Sequence, residues 1–124
     1  MVDFGPHAQG SGLRHAVLGK LVEHLSLRKV RVLEVGSWTG ESALYWANAI
    51  ARFCPDKGYV VCVDKWEPYA SQEDVIRPVY DTMDKMLRSG EALKLFEKNI
   101  QLGPPWVSIS YFRASLPELV ADGD

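Results

Sequence analysis

Residues 30–42 read V-R-V-L-E-V-G-S-W-T-G-E-S. An aliphatic, β-branched run (Val30, Val32, Leu33, Val35) ends at Gly36, a second glycine follows at Gly40, and an apolar-periodic segment then opens. This is the pattern of a strand, a tight glycine turn and a helix N-terminus, the front of a βαβ unit. Glycines let the backbone come close to a ligand, and unpaired amides at the start of the helix favour anionic groups. Glu34 narrows the ligand, because a carboxylate at the end of the strand repels phosphate and suits a cationic amine. The dinucleotide fingerprint G-x-G-x-x-G, started at Gly36, requires glycines where this chain has Trp38 and Glu41. That fingerprint fails.

Downstream, Ala43, Leu44, Ala47, Ile50, Ala51 and Phe53 predict a helix over residues 41–53 with one apolar face. Residues 54–58, C-P-D-K-G, stop it with turn chemistry and a proline. The apolar run 59–63 predicts a parallel strand covered on both faces, and it closes in Asp64. A carboxylate there can accept both hydroxyls of a ribose lying across the strand ends, or it can cap whatever follows. Trp66, just beyond, either borders a ligand or covers the sheet edge.

Upstream, residues 1–10 read as a flexible lead-in, rich in glycine and polar side chains. Leu13, Val17, Leu18, Leu21, Val22 and Leu25 predict an amphipathic helix over 11–27 that packs on the sheet. His7, His15 and His24 lack the spacing of a metal pair and are predicted at the surface, and no metal site is expected. Beyond Trp66, a helix is expected from about Pro78, with its methionines as packing, and another over 91–102. Alternation over 107–112 predicts a third strand, and S-L-P-E at 115–118 is a capping box opening a helix to about Ala121.

The chain has 124 residues, 47% apolar and 24% charged, with a formal net charge of −2. That length carries one domain with a real core. No basic excess points to nucleic acid or an anionic membrane, and no apolar span is long enough to cross one. Cys54 and Cys62 are the only cysteines. Two thiols in apolar settings read as reduced core residues, which makes a cytoplasmic location the expectation, with a disulfide between them as the alternative.

E-V-G-S-W-T-G (34–40) resembles the first motif of class I S-adenosylmethionine-dependent methyltransferases, and G-E-S-A (40–43) resembles the G-Y-S-A of catechol-type O-methyltransferases. The form of the motif is most similar to a subgroup that acts on sugars and natural products. V-D-K-W-E-P (63–68) looks like that subgroup's V-D-T-W-x-G, and F-E-K-N-I (96–100) like the F-x-x-N before its third strand. The resemblance implies a Rossmann-like α/β fold, a mostly parallel sheet with flanking helices, and S-adenosyl-L-methionine as cofactor. It implies a cofactor site at Glu34, Gly36, Ser37, Gly40, Ser42, Asp64, Trp66 and Ser115. Glu34 would hold the amine, Ser42 the carboxylate and Asp64 the ribose, while Ser115 would contact the adenine amine, a place its capping role also explains. Trp66 and Tyr69 are candidates for the substrate side.

The resemblance covers residues 11–124 and supplies strands 1–3 of a longer sheet, so the expectation is the N-terminal portion of a methyltransferase domain, truncated after the third strand and inactive alone. D-G-D at 122–124 looks like a loop toward a fourth strand. The catalytic base or metal would lie beyond it. The reaction implied is methyl transfer to a small-molecule hydroxyl, with no nucleic acid or membrane partner and with strand 1 as an open edge for a homo-oligomer. Two other readings stay open, a nucleotide- or NAD-binding oxidoreductase and a non-catalytic cofactor-binding fragment.

Overall fold

A computed structural model describes residues 3–5, 12–68 and 78–117. Among them are four helices and three strands: α1 (Gly12–Leu25), β1 (Val30–Val35), α2 (Glu41–Phe53), β2 (Gly58–Asp64), α3 (Pro78–Arg88), α4 (Glu91–Ile100) and β3 (Ser108–Arg113). The strands form one parallel sheet in the order β1-β2-β3. The chain is therefore α/β, with a Rossmann-like run of parallel strands.

Among the described residues the helices cover one face of the sheet and leave much of the other exposed. Parallel crossovers are right-handed, so two successive crossovers that step the same way place their helices on the same face. That face carries Val30, Val32 and Glu34 of β1, aligned in register with Gly58, Val60 and Cys62 of β2. α2 lies over it and touches all three strands. Ala43, Ala47 and Ile50, spaced i, i+4, i+7, are fully buried, and the two alanines let the helix approach closely. Val60, Cys62, Trp66 and Phe96 complete the core, each such side chain stabilising the fold by ~1.5–3 kcal/mol. On the other face, Leu33, Val35, Tyr59 and Phe112 are exposed.

α3 starts at Pro78, where the missing amide costs nothing, and Met83 and Met86 are buried packing residues as expected. The segment 69–77, with Tyr69, lies outside the described residues, as do 118–124; of the helix expected to run on to Ala121 only residues 116–117 are described, and they are helical.

α1 departs from expectation. It packs on α2, and Leu13, Val17, Leu21 and Leu25 are exposed, while Val22 is buried. His15, expected at the surface, is buried instead. Its ring stacks on Tyr45 at 3.6 Å between centroids, with Nε2 3.7 Å from Glu41 Oε1. Apolar periodicity finds a helix but does not say which stripe meets a neighbour.

Candidate functional site

The parallel register brings the two diagnostic acids together. Glu34 is paired with Cys62 and Val35 with Val63, so Gly36 and Asp64 leave the sheet side by side. A cavity of about 500 Å³ opens here, at the carboxyl ends of the strands, where open α/β sheets bind ligands. Val35, Gly36, Val63 and Asp64 line it from the strands, Lys65, Glu67 and Pro68 from the loop after β2, and Ser115 from the loop after β3. A second, polar recess of about 60 Å³ sits at the start of α2, lined in part by Arg14, Ser37 and Ser42. Gly36 borders both.

The glycine turn between them is fastened from several directions. The Gly36 amide donates to Val63 O at 2.8 Å, and the Gly40 amide to Ser37 O at 3.0 Å. The Trp38 amide donates to Asp64 Oδ2 at 3.2 Å, while Asp64 Oδ1 accepts from the Trp66 amide at 2.8 Å. Trp66 Nε1 donates to Trp38 O at 2.7 Å, and Asn99 Nδ2 to Thr39 O at 2.9 Å. Gly36 and Gly40 have φ of 81° and 93°, a region that only glycine enters freely. A Cβ at Gly40 would meet Phe96 Cδ2 at 3.3 Å, so this glycine also serves packing. A Cβ at Gly36 would meet nothing within 4 Å, so there the bare backbone faces the cavity.

Glu34 points under this turn. Burial pushes its pKa up, and the nearby Asp64 charge adds to the rise, while the hydroxyls of Ser37 and Ser42 favour the charged form. Glu34 Oε1 and Ser37 Oγ are both buried without a partner in hydrogen-bond geometry. Unpaired buried polar atoms are costly, and a ligand that donates to them relieves that cost; of these two residues, Ser37 lines the small recess. The Cys62 thiol beside them is pushed up to about 12, chiefly by burial, and is a poor nucleophile at neutral pH. Cys54 and Cys62 are both free and buried.

The expected residues thus divide by position. Gly36, Asp64 and Ser115 line the large cavity, Gly36, Ser37 and Ser42 the small recess, and Glu34 lies beneath the turn. Gly40 is the first residue of the α2 cap and packs on α4. Trp66 lines neither space. It is 1% exposed, packed edge-on against Tyr111 and tilted on Phe96, and it reaches the site through its indole bond to Trp38 and its amide bond to Asp64. Thr39 and Asn99 were missed as site-forming residues, although the F-x-x-N stretch already singled out the asparagine. Val35 and Val63 were missed as cavity walls, and strand alternation could have found them, since both face away from Glu34.

Among the described residues no group of three or more His, Cys, Asp or Glu could hold a metal ion, and no helix is long and apolar enough to cross a membrane. No protein-family model and no curated protein matches the chain.

Proposed function

We propose that this chain binds S-adenosyl-L-methionine across the carboxyl ends of β1 and β2 and belongs to a class I methyltransferase that transfers the methyl group to a hydroxyl of a small molecule. The observation that carries this reading is Glu34: a half-buried carboxylate whose Oε1 is buried and unpaired, beside the unpaired Ser37 hydroxyl, one strand from a second acid at the cavity wall. A ligand with a cationic amine relieves the first acid, and vicinal hydroxyls suit the second. The residues present fit such a cofactor. Glu34 and Ser37 would hold its amine, the start of α2 with Ser42 its carboxylate, Asp64 its ribose, and Ser115 its adenine. Bound there, the cofactor supplies an electrophilic methyl group. The chain's own contribution is orientation, which fixes the line of approach for the acceptor oxygen. Two buried reduced thiols suit a cytoplasmic enzyme.

Calorimetric titration with S-adenosylhomocysteine, NAD and buffer alone tests the proposal. Heat with S-adenosylhomocysteine only is the expected result. Heat with NAD only would replace this reading with an oxidoreductase, and heat with neither would leave the chain without a cofactor role.

A further inference from the structure

Asn99 sits on the last turn of α4, 1% exposed, and is far in sequence from the glycine turn. An asparagine amide nitrogen has two hydrogens to give. Both are used on backbone carbonyls: Nδ2 donates to Thr39 O at 2.9 Å and to Asp3 O at 2.7 Å. Thr39, itself 1% exposed, answers by donating Oγ1 to Phe4 O at 2.7 Å. The segment of residues 3–5 is thereby stitched to the inner side of the glycine turn, and Gly5 lies against Met86. Asn99 also contributes to the wall that Gly40 packs against.

We propose that Asn99 is a positioning residue for the amino-acid end of the cofactor: through Thr39 it fixes the glycine turn and the start of α2, with residues 3–5 as the counter-clamp. This rests on the methyltransferase reading. Hydrophobic contact could hold a turn in place, but it is non-directional. Paired donors aimed at carbonyls set the orientation of peptide planes, and the amides at the start of α2 face the ligand only if those planes are fixed. Asn99 is not placed to touch the ribose or adenine side, which belongs to Asp64 and Ser115.

The 124-residue chain with Asn99→Ala, and separately with the near-isosteric Thr39→Val, is titrated with S-adenosylhomocysteine and with 5′-methylthioadenosine, which lacks the amino-acid end. The expected result for Asn99→Ala is a loss of about tenfold or more for the first ligand and less than about twofold for the second, with Thr39→Val giving a smaller loss of the same pattern. General destabilisation would weaken both ligands alike, and that outcome, or no change in either, overturns the proposal. Hydrogen exchange of the ligand-free variants adds an independent arm. Faster exchange across residues 36–40 with β2 unchanged is expected, and unchanged exchange at the turn also overturns it. If the unsubstituted chain binds neither ligand while the turn still loosens, the methyltransferase reading has failed and the Asn99 clamp has not.

Discussion

Trp66 donates its indole N–H to the backbone carbonyl of Trp38 at 2.7 Å, and both tryptophans hold left-handed backbones, with φ of 51° and 48°. Bulky residues rarely adopt that region, and each such position costs on the order of 1–3 kcal/mol unless its surroundings impose it. Here the surroundings do so. Asp64 takes the amides of both tryptophans, one on each carboxylate oxygen, and the indole closes the loop between them. The turn that faces the cavity and the loop that walls it are one hydrogen-bonded unit.

Trp66→Phe keeps most of the ring packing and removes that donor. Leaving the Trp38 carbonyl without its partner should lower stability by ~1–3 kcal/mol. Affinity for S-adenosylhomocysteine should also drop, although Trp66 lines neither cavity. Denaturant unfolding and calorimetry on the same variant check both effects. Full affinity in the variant would show that the turn holds its shape without the indole.

Much of this was legible in the sequence, and the reason is local. The strand–turn–helix over residues 30–53 follows from aliphatic spacing and two glycines, and β2 follows from an unbroken apolar run ending in an acid. What stayed hidden are the pairings that tie the turn down. Trp66 to Trp38 spans 28 residues and Asn99 to Thr39 spans 60, and no periodicity encodes a bond from one specific side chain to one specific backbone carbonyl at such separations. His15 was hidden for a related reason. A polar residue on a helix is placed at the surface by default, yet stacking on Tyr45 beside Glu41 gives it a buried place.

Asp64 carries two loads, and substitution should separate them. Asp64→Ala removes both acceptors for the tryptophan amides and the proposed ribose contact, so binding should weaken by ~1–3 kcal/mol from the lost ribose bonds and stability should fall as well. Asp64→Asn keeps one carbonyl oxygen and should recover part of the stability but not the binding. Parallel calorimetry and urea unfolding decide it. Unchanged affinity for S-adenosylhomocysteine in Asp64→Ala would remove Asp64 from the cofactor site.

Glu34 gives a pH dependence whose sign can be worked out. Its pKa in the folded chain lies above the ordinary 4.5. Between those two values the folded state holds a proton that the unfolded state has lost, so stability falls as pH rises through the window. Glu34→Gln, which cannot ionise, should flatten this slope and leave the chain more stable than the parent above the window. The same variant should lose affinity for S-adenosylhomocysteine, because the amine loses its counter-charge. Within that window binding by the parent should release protons, since a cationic amine favours the ionised carboxylate. Melting temperatures across pH, together with binding heats in two buffers of different ionisation enthalpy, measure these effects. A variant that keeps the parent's slope would place the titration elsewhere.

The open face and the edge of the sheet lead to the last expectation. Among the described residues β1 is an edge strand, its Leu33 is 56% exposed, and α1 presents Leu13, Val17, Leu21 and Leu25 to solvent. Unpaired strand edges flanked by apolar side chains invite pairing with another chain, and natural edges are commonly blunted by lysine. The 124-residue chain should therefore associate as its concentration rises, with a second copy paired along β1. Leu33→Lys should shift it toward monomer while changing stability by no more than ~0.5 kcal/mol, because the side chain is already largely in water. Leu33 is the informative position, since the neighbouring Val35 lines the cavity and would confound binding with assembly. Light scattering over a concentration series reads the outcome. A parent chain that stays monomeric throughout, or association that Leu33→Lys leaves untouched, would exclude β1 as the contact.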